Sequence, residues 1–270
     1  MNSPQRIAFI GAGNMARSLI GGLLAATPDR FRITAADPDP AQRAQIEALG
    51  IEACADNTQA IVGVDLVVLA VKPQVAAQAL TAASEALRRT RPTLLSIAAG
   101  LRIANIEATV GCELAVVRAM PNTPALVQRG ISGWYANDRV TATGRAMARA
   151  VLEAAGTAIE VSEENLLDAV TAVSGSGPAY FFLLVEALAA AGVKAGLPAA
   201  TAAELARATG TGAMALLDVS PLEPAQLRAQ VTSPGGTTAA ALDVLQGSLP
   251  ELLEKAVLNA RNRAHELAQG

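Results

Sequence analysis

The feature that most constrains this chain is Ile10-Gly11-Ala12-Gly13-Asn14-Met15-Ala16, a G-x-G-x-x-A pattern between an apolar run and a helical one. Each small residue has its own task in that setting. Gly11 makes the tight turn, Gly13 lets the backbone approach a pyrophosphate, and Ala16 allows the helix to pack close to the strand. Free N–H groups and the positive end of the helix dipole then face the phosphates. The same pattern also serves as a plain strand-to-helix turn, so the context decides. Here a strand precedes, a helix follows, and a second strand ends at Asp37, as a dinucleotide loop requires.

Asp37 stands about 20 residues beyond the loop, where a carboxylate accepts hydrogen bonds from the adenosine ribose of NAD. It equally begins the turn Asp37-Pro38-Asp39-Pro40, where Asp is common anyway. No Arg or Lys immediately follows it to attract the 2′-phosphate of NADP, the nearest being Arg32 and Arg43. NADH should therefore be accepted. Val71-Lys72-Pro73 follows a strand and is expected to line the cleft at the carboxyl ends of the sheet, although spacing gives the Lys72 side chain no role of its own.

Short β-rich runs alternate with helical stretches through the first part of the chain, which argues for βαβ units and a parallel sheet. The expected strands are 7–10, 32–35, 66–70, 93–97, 115–119 and 158–161, with crossover helices at 41–49 and 75–87. From about Ser162 the β signal disappears and Ala- and Leu-rich helices take over. The last of these, Glu251 to Ala268, carries Leu253, Val257, Ala260, Ala264 and Leu267 along one face. The fold class is thus α/β, a nucleotide-binding domain over residues 1–162 followed by an all-helical domain over 163–270. The helical part holds more apolar surface than a lone bundle hides, which points to pairing of subunits.

Composition removes several classes of function. A net charge of -3 gives no basic footprint for nucleic acid, and Arg88, Arg89 and Arg91 read as a solvated helix end. Cys54 and Cys112 match no metal-ligand spacing and read as small buried residues of a reduced compartment. The start leaves no room for a signal peptide. The most apolar stretch, Ala179 to Ala191, carries Glu186, is shorter than the ~20 residues of a membrane span, and reads as a buried helix. A soluble cytoplasmic protein, without metal and without nucleic-acid or membrane partners, is expected.

The lone histidine, His265, falls in the charged part of the last helix, on its expected surface, which weakens any mechanism resting on a His general acid. A protonated imine needs less help, because it is already polarised and the site has mainly to orient it and exclude water. Thr232-Ser233-Pro234-Gly235-Gly236-Thr237-Thr238 precedes a helix and can hold a carboxylate on its N–H groups and hydroxyls, or be an ordinary helix cap. Met120-Pro121-Asn122-Thr123-Pro124 can border a nicotinamide or be a rigid turn, and Ser174-Gly175-Ser176-Gly177-Pro178 suits close packing.

Taken together, these segments resemble the pyrroline-5-carboxylate reductases from about Arg6 to Leu267. The likeness rests on the glycine loop, Ala70-Val71-Lys72-Pro73, Ser96 to Gly100 and Arg118 to Pro124. It is most particular in Asp168 to Tyr180 and Val231 to Thr238. The resemblance implies a Rossmann domain, a helical dimerisation domain and a decamer assembled from dimers. It implies reduction of 1-pyrroline-5-carboxylate to L-proline with NADP(H) or NAD(H). Gly11, Ala12, Gly13, Asn14, Met15 and Ala16 would hold the pyrophosphate. Asn57, Ala70, Val71, Lys72 and Pro73 would line the cofactor cleft, with Met120, Pro121 and Asn122 beside the nicotinamide. Ser233 and the N–H groups of Gly236, Thr237 and Thr238 would take the substrate carboxylate. The Thr238 hydroxyl would face the ring nitrogen and act in catalysis. Many members of the family favour NADPH and carry Ser, Thr or Arg where Asp37 stands, so dual cofactor use is the expectation here. A β-hydroxyacid dehydrogenase of similar plan would need a lysine on the helix after the linker, and 179–191 has none.

Overall fold

The computed structural model describes residues 4–269, and packing divides them into two units. The first runs to Ser176 and also takes in the stretch from Ala260 onward; the second is Gly177–Asn259. The sequence reading changed domain at residue 162, where the β pattern stops. The helical segments just beyond that point, and the last turns of the chain, nevertheless belong to the α/β unit.

The first unit is built on one eight-stranded sheet in the order β3-β2-β1-β4-β5-β6-β7-β8. Its strands are β1 (Gln5–Ile10), β2 (Phe31–Ala36), β3 (Glu52–Cys54), β4 (Leu66–Leu69), β5 (Thr93–Ser96), β6 (Val116–Met120), β7 (Gly130–Ala136) and β8 (Gly156–Glu160). All neighbours pair parallel except β6 with β7. Two strands escaped the sequence reading. β3 is only three residues long, and β7 carries two glycines and a half-polar pattern that hide its period.

Helices cover both faces, as a parallel sheet requires. On one face lie α1 (Asn14–Ala26), α2 (Pro40–Glu47) and α6 (Ala142–Glu153), burying Leu19, Ile20, Leu23, Ile46, Val151 and Leu152 against Phe9, Val68 and Val117. On the other lie α3 (Asn57–Ala60), α4 (Pro73–Thr90) and α5 (Ile103–Val110), burying Ile61, Leu80, Leu87, Ile106 and Val110 against Ile10, Val67 and Leu94. Burying a side chain of this size contributes about 1.5–3 kcal/mol, so the apolar strands fix the layers. The order in which strands are added reverses between β1 and β4, opening a crevice at their carboxyl ends where ligands bind in such sheets. The cysteines are only partly buried and both are free, a correction to the expectation of buried residues.

After α7 (Leu166–Val170) the chain makes a π-helical turn, Thr171–Gly175. The second unit holds α8 (Gly177–Lys194), α9 (Ala199–Val219), α10 (Pro224–Gln230), α11 (Thr237–Leu245) and the start of α12 (Leu249–Leu267). Small residues bring α8 and α9 together: a Cβ on Gly192 would lie 3.2 Å from that of Ala202.

The expectation of a buried helix at 179–191 is overturned. Within the chain, Phe182 is 69% and Leu183 63% exposed, because α8 is apolar around its whole circumference and one neighbouring helix covers one side only. The helical run Leu166–Lys194 also reaches 29 residues, long and apolar enough to cross a membrane by length and composition, where the sequence reading placed a shorter one.

Candidate functional site

The glycine loop is fixed from both sides of the crevice. Gly11 N donates to Ala36 O at 2.7 Å, and Ala70 N donates to Ile10 O at 2.8 Å. Gly11 has φ +97°, and a Cβ there would lie 2.6 Å from Ala70 O and 2.8 Å from Val71 Cγ1. Only glycine satisfies both the dihedral and the contact. Gly13 is different: its φ is -68°, and a Cβ would meet no protein atom within 4 Å. It is the N-cap of α1 and makes no side-chain cap, so the first N–H groups of the helix open onto a cradle that a Cβ would begin to fill. Ala12 and Ala16 are wholly buried and seat the helix on the sheet.

Cavities lie on either side of this loop. One, of about 450 Å³, is bordered by Gly11, Ala36, Pro38, Asp56 and Asn57, with Val71 and Val75 supplying an apolar wall. The other, of about 460 Å³, is bordered by Gly13, Asn14 and Met15 on one side and by Ala70, Val71 and Lys72 on the other, with Met120 and Pro121 at its end. An apolar slot, a donor-rich helix start and a second slot in sequence fit the adenosine, pyrophosphate and nicotinamide of a dinucleotide. Pro73 begins α4, with Lys72 as its N-cap, so Pro73 sets the helix entry while the exposed Lys72 edges the cleft.

Asp37 satisfies both readings of its position. Its Oδ1 accepts from Asp39 N at 2.9 Å, the turn bond, while Oδ2 accepts from Ala12 N at 2.8 Å. The carboxylate thus ties the end of β2 to the glycine loop, and each oxygen keeps capacity for a ribose hydroxyl.

Asn122 does not offer its amide to the cleft. Nδ2 donates to Ser174 O at 3.1 Å and Oδ1 accepts from Ile131 N at 2.9 Å, so the side chain braces the loop rather than lining it. The brace meets the π-helical turn, where Ser176 N donates to Thr171 O at 2.8 Å. A Cβ on Gly175 would lie 2.7 Å from Met120 Cε, so the glycine leaves room for a side chain that borders the second cavity. Insertions of this kind gather at functional sites. The glycines at 175 and 177 were the sequence signal for it.

A second group went unread in the sequence because its members are 66 and 97 residues apart. Arg102 Nη2 donates to Asp168 Oδ2 at 3.0 Å, and His265 Nδ1 lies 3.1 Å from the same oxygen. Gln269 Nε2 lies 2.6 Å from His265 Nε2. A proton on Nδ1 lets the imidazole donate to Asp168 and accept from Gln269. Asp168 is 5% exposed, and its pairing with Arg102 and His265 answers a buried carboxylate. Beside it, Glu164 Oε1 accepts from Ile103 N at 2.9 Å and from the buried Arg118 at 2.8 Å. His265 is thus half exposed as expected, but bound to a buried carboxylate.

In the second unit, Ser233 to Thr238 lead into α11. Gly235 has φ +69°, Gly236 N donates to Ser233 O at 3.0 Å, and Gly236 is an N-cap without a side-chain bond. The ordinary Ser/Thr cap is therefore not made, and the first N–H groups of α11 lack intrahelical partners.

Residues 164–267 match the family model described as pyrroline-5-carboxylate reductase dimerisation, and residues 6–100 match NADP oxidoreductase, coenzyme F420-dependent. A pyrroline-5-carboxylate reductase of Pseudomonas aeruginosa is 48% identical over 271 residues, covering 100% of this chain and 98% of that protein. Among solved structures, a pyrroline-5-carboxylate reductase of Coxiella burnetii is 39% identical with a TM-score of 0.93 over 99% of both chains. A pyrroline carboxylate reductase of Plasmodium falciparum, solved with NADP bound, is 29% identical with a TM-score of 0.81, over 99% of this chain and 100% of that one.

Proposed function

The chain belongs to the pyrroline-5-carboxylate reductase family, and on that premise we propose that it reduces the C=N bond of 1-pyrroline-5-carboxylate to give L-proline, using NAD(P)H. The observation that carries the reading from the structure is the pair of cavities flanking Gly11 and Gly13 at the switch point of the sheet. Gly11 to Ala16 hold the pyrophosphate, Asn57 and Asp37 border the adenosine, and Ala70 to Pro73 with Met120 and Pro121 border the nicotinamide. Asn122 holds the Met120–Pro121 edge in place through its bonds to Ser174 and Ile131. Bound there, the reduced nicotinamide supplies the hydride that the C=N carbon accepts.

The substrate loop belongs to the family-based part of the proposal. Ser233 and the N–H groups of Gly236, Thr237 and Thr238 hold the carboxylate. The Thr238 hydroxyl positions the ring nitrogen of the iminium, which already carries its proton, so hydride on the carbon completes the amine and no further proton is needed in that step. A charged iminium needs no histidine acid, in keeping with a lone histidine committed to Asp168. The helical unit, Gly177–Asn259, pairs subunits through the exposed apolar side of α8, and dimers build a decamer in the cytoplasm. The bare apolar surface there supports an interface, since a face of this size is rarely left to water.

The test is the loss of 340 nm absorbance from NADH or NADPH with 1-pyrroline-5-carboxylate, with proline identified as product. The double variant Ser233→Ala, Thr238→Ala should lower kcat/KM by at least about 100-fold, about 2.7 kcal/mol of transition-state stabilisation. Unchanged turnover would remove these residues from the site, and no turnover by the parent chain would remove the function.

A further inference from the structure

We propose that the turn Asp37 to Ala41 rejects a 2′-phosphate, so that this reductase prefers NADH. The proposal rests on the cofactor site described above and names what that site selects.

A 2′-phosphate needs N–H or O–H groups, or a basic side chain, beside the end of β2. In this turn every backbone donor is spent. Asp37 N donates to Cys54 O at 3.0 Å, Asp39 N to Asp37 Oδ1 at 2.9 Å and Ala41 N to Asp39 Oδ1 at 2.8 Å. Pro38 and Pro40 have no N–H to give. The two side chains in the turn that carry charge are both carboxylates.

The nearest guanidiniums each commit Nη1 to acceptors other than a ribose. Arg43 Nη1 donates to Asp37 O at 2.8 Å and Pro38 O at 2.9 Å, binding the turn from its carbonyl side. Arg17 Nη1 donates to Ala12 O at 2.8 Å and to Gln42 Oε1 at 2.6 Å. The cavity beside the turn has no Lys or Arg among its bordering residues and a further carboxylate in Asp56, held by Thr58 N at 2.8 Å. A phosphate there would meet like charge and no basic side chain, the neutral amides of Asn57 and Gln78 being the side-chain donors on the cavity wall, whereas ribose hydroxyls would donate to Asp37. Its Oδ2 bond to Ala12 N keeps that carboxylate from turning away.

The experiment is calorimetric titration of the whole protein with ADP-ribose and with 2′-phospho-ADP-ribose, which requires no turnover. ADP-ribose should bind at least about tenfold more tightly, and that ratio should shrink between about 0.05 M and 0.5 M salt as screening shortens the reach of Asp37 and Asp56. Asp37→Ser should bring the two ligands to within about threefold, largely by improving the phosphorylated one. Arg43→Ala should leave the preference in place. Equal or tighter binding of 2′-phospho-ADP-ribose by the parent chain would overturn the proposal and leave the reductase reading standing. A preference that appears only when Arg43 is removed would overturn it too. Binding of neither ligand would overturn the cofactor site on which both readings rest.

Discussion

Gly11 and Gly13 look alike in the sequence, but the structure predicts that they fail differently when each is changed to alanine. At Gly11, φ of +97° and a Cβ 2.6 Å from Ala70 O force the backbone of the loop away from β4. A non-glycine residue held in a sparsely populated region costs about 1–3 kcal/mol, and the contact with a backbone oxygen adds to it. A loss of about 2–4 kcal/mol lowers Tm by roughly 5–12 °C for a chain of this size. At Gly13, φ of -68° suits alanine and no protein atom stands within 4 Å of the new Cβ. The weaker N-cap costs a few tenths of a kcal/mol or somewhat more. A stiffer unfolded chain returns about 0.4–1 kcal/mol, so Tm should stay nearly constant. The methyl instead fills the cradle before the first N–H groups of α1. Loss of one charge-assisted hydrogen bond, about 1.5–3 kcal/mol, raises the dinucleotide Kd by roughly 10- to 150-fold. Differential scanning calorimetry and dinucleotide titration on both variants check this. If Gly13→Ala falls in Tm as far as Gly11→Ala, or binds dinucleotide as the parent does, the assignment of separate tasks to the two glycines is wrong.

Further expectations concern the braces and the exposed helix. Asn122→Ala leaves Ile131 N and Ser174 O without their partner in a mostly buried place and should cost about 2–4 kcal/mol in urea unfolding. Asp168→Ala strands Arg102 and should cost about 2–3 kcal/mol, whereas His265→Ala, at a side chain 55% exposed, should cost at most about 1 kcal/mol. The reverse order would show that the histidine, not the carboxylate, anchors the C-terminal turns. Phe182→Asp in α8 should convert the proposed dimer into folded monomers by light scattering, with helicity retained by circular dichroism. A persisting dimer would place the interface elsewhere.

Much of the α/β unit was legible because its signals are local. Leu66 to Leu69 is a four-residue apolar run, and a strand covered on both faces has to be one. The glycine loop is contiguous, and its context on both sides is contiguous too, so the cofactor end could be read at Gly11, Gly13 and Ala16. β7 stayed hidden because an antiparallel strand beside a parallel sheet is decided by its partner, through the register Arg118 to Tyr135, and not by its own pattern.

The remainder depends on encounters between distant segments. Asp37 carries the same letter whether it caps a turn or ties the loop, and only the approach of Ala12 N to 2.8 Å makes it do both. His265 reads as a surface residue until Asp168, nearly a hundred positions earlier, arrives beneath it. Asn122 reads as a site residue until Ser174 and Ile131 claim its amide. The sequence by itself determined the layers, the glycine loop and the change to helices after residue 162, because apolar period and backbone freedom act over a few residues. Tertiary structure alone decided which polar groups are spent and which remain free for a ligand, because a hydrogen bond is settled by distance in space, and folding sets that distance.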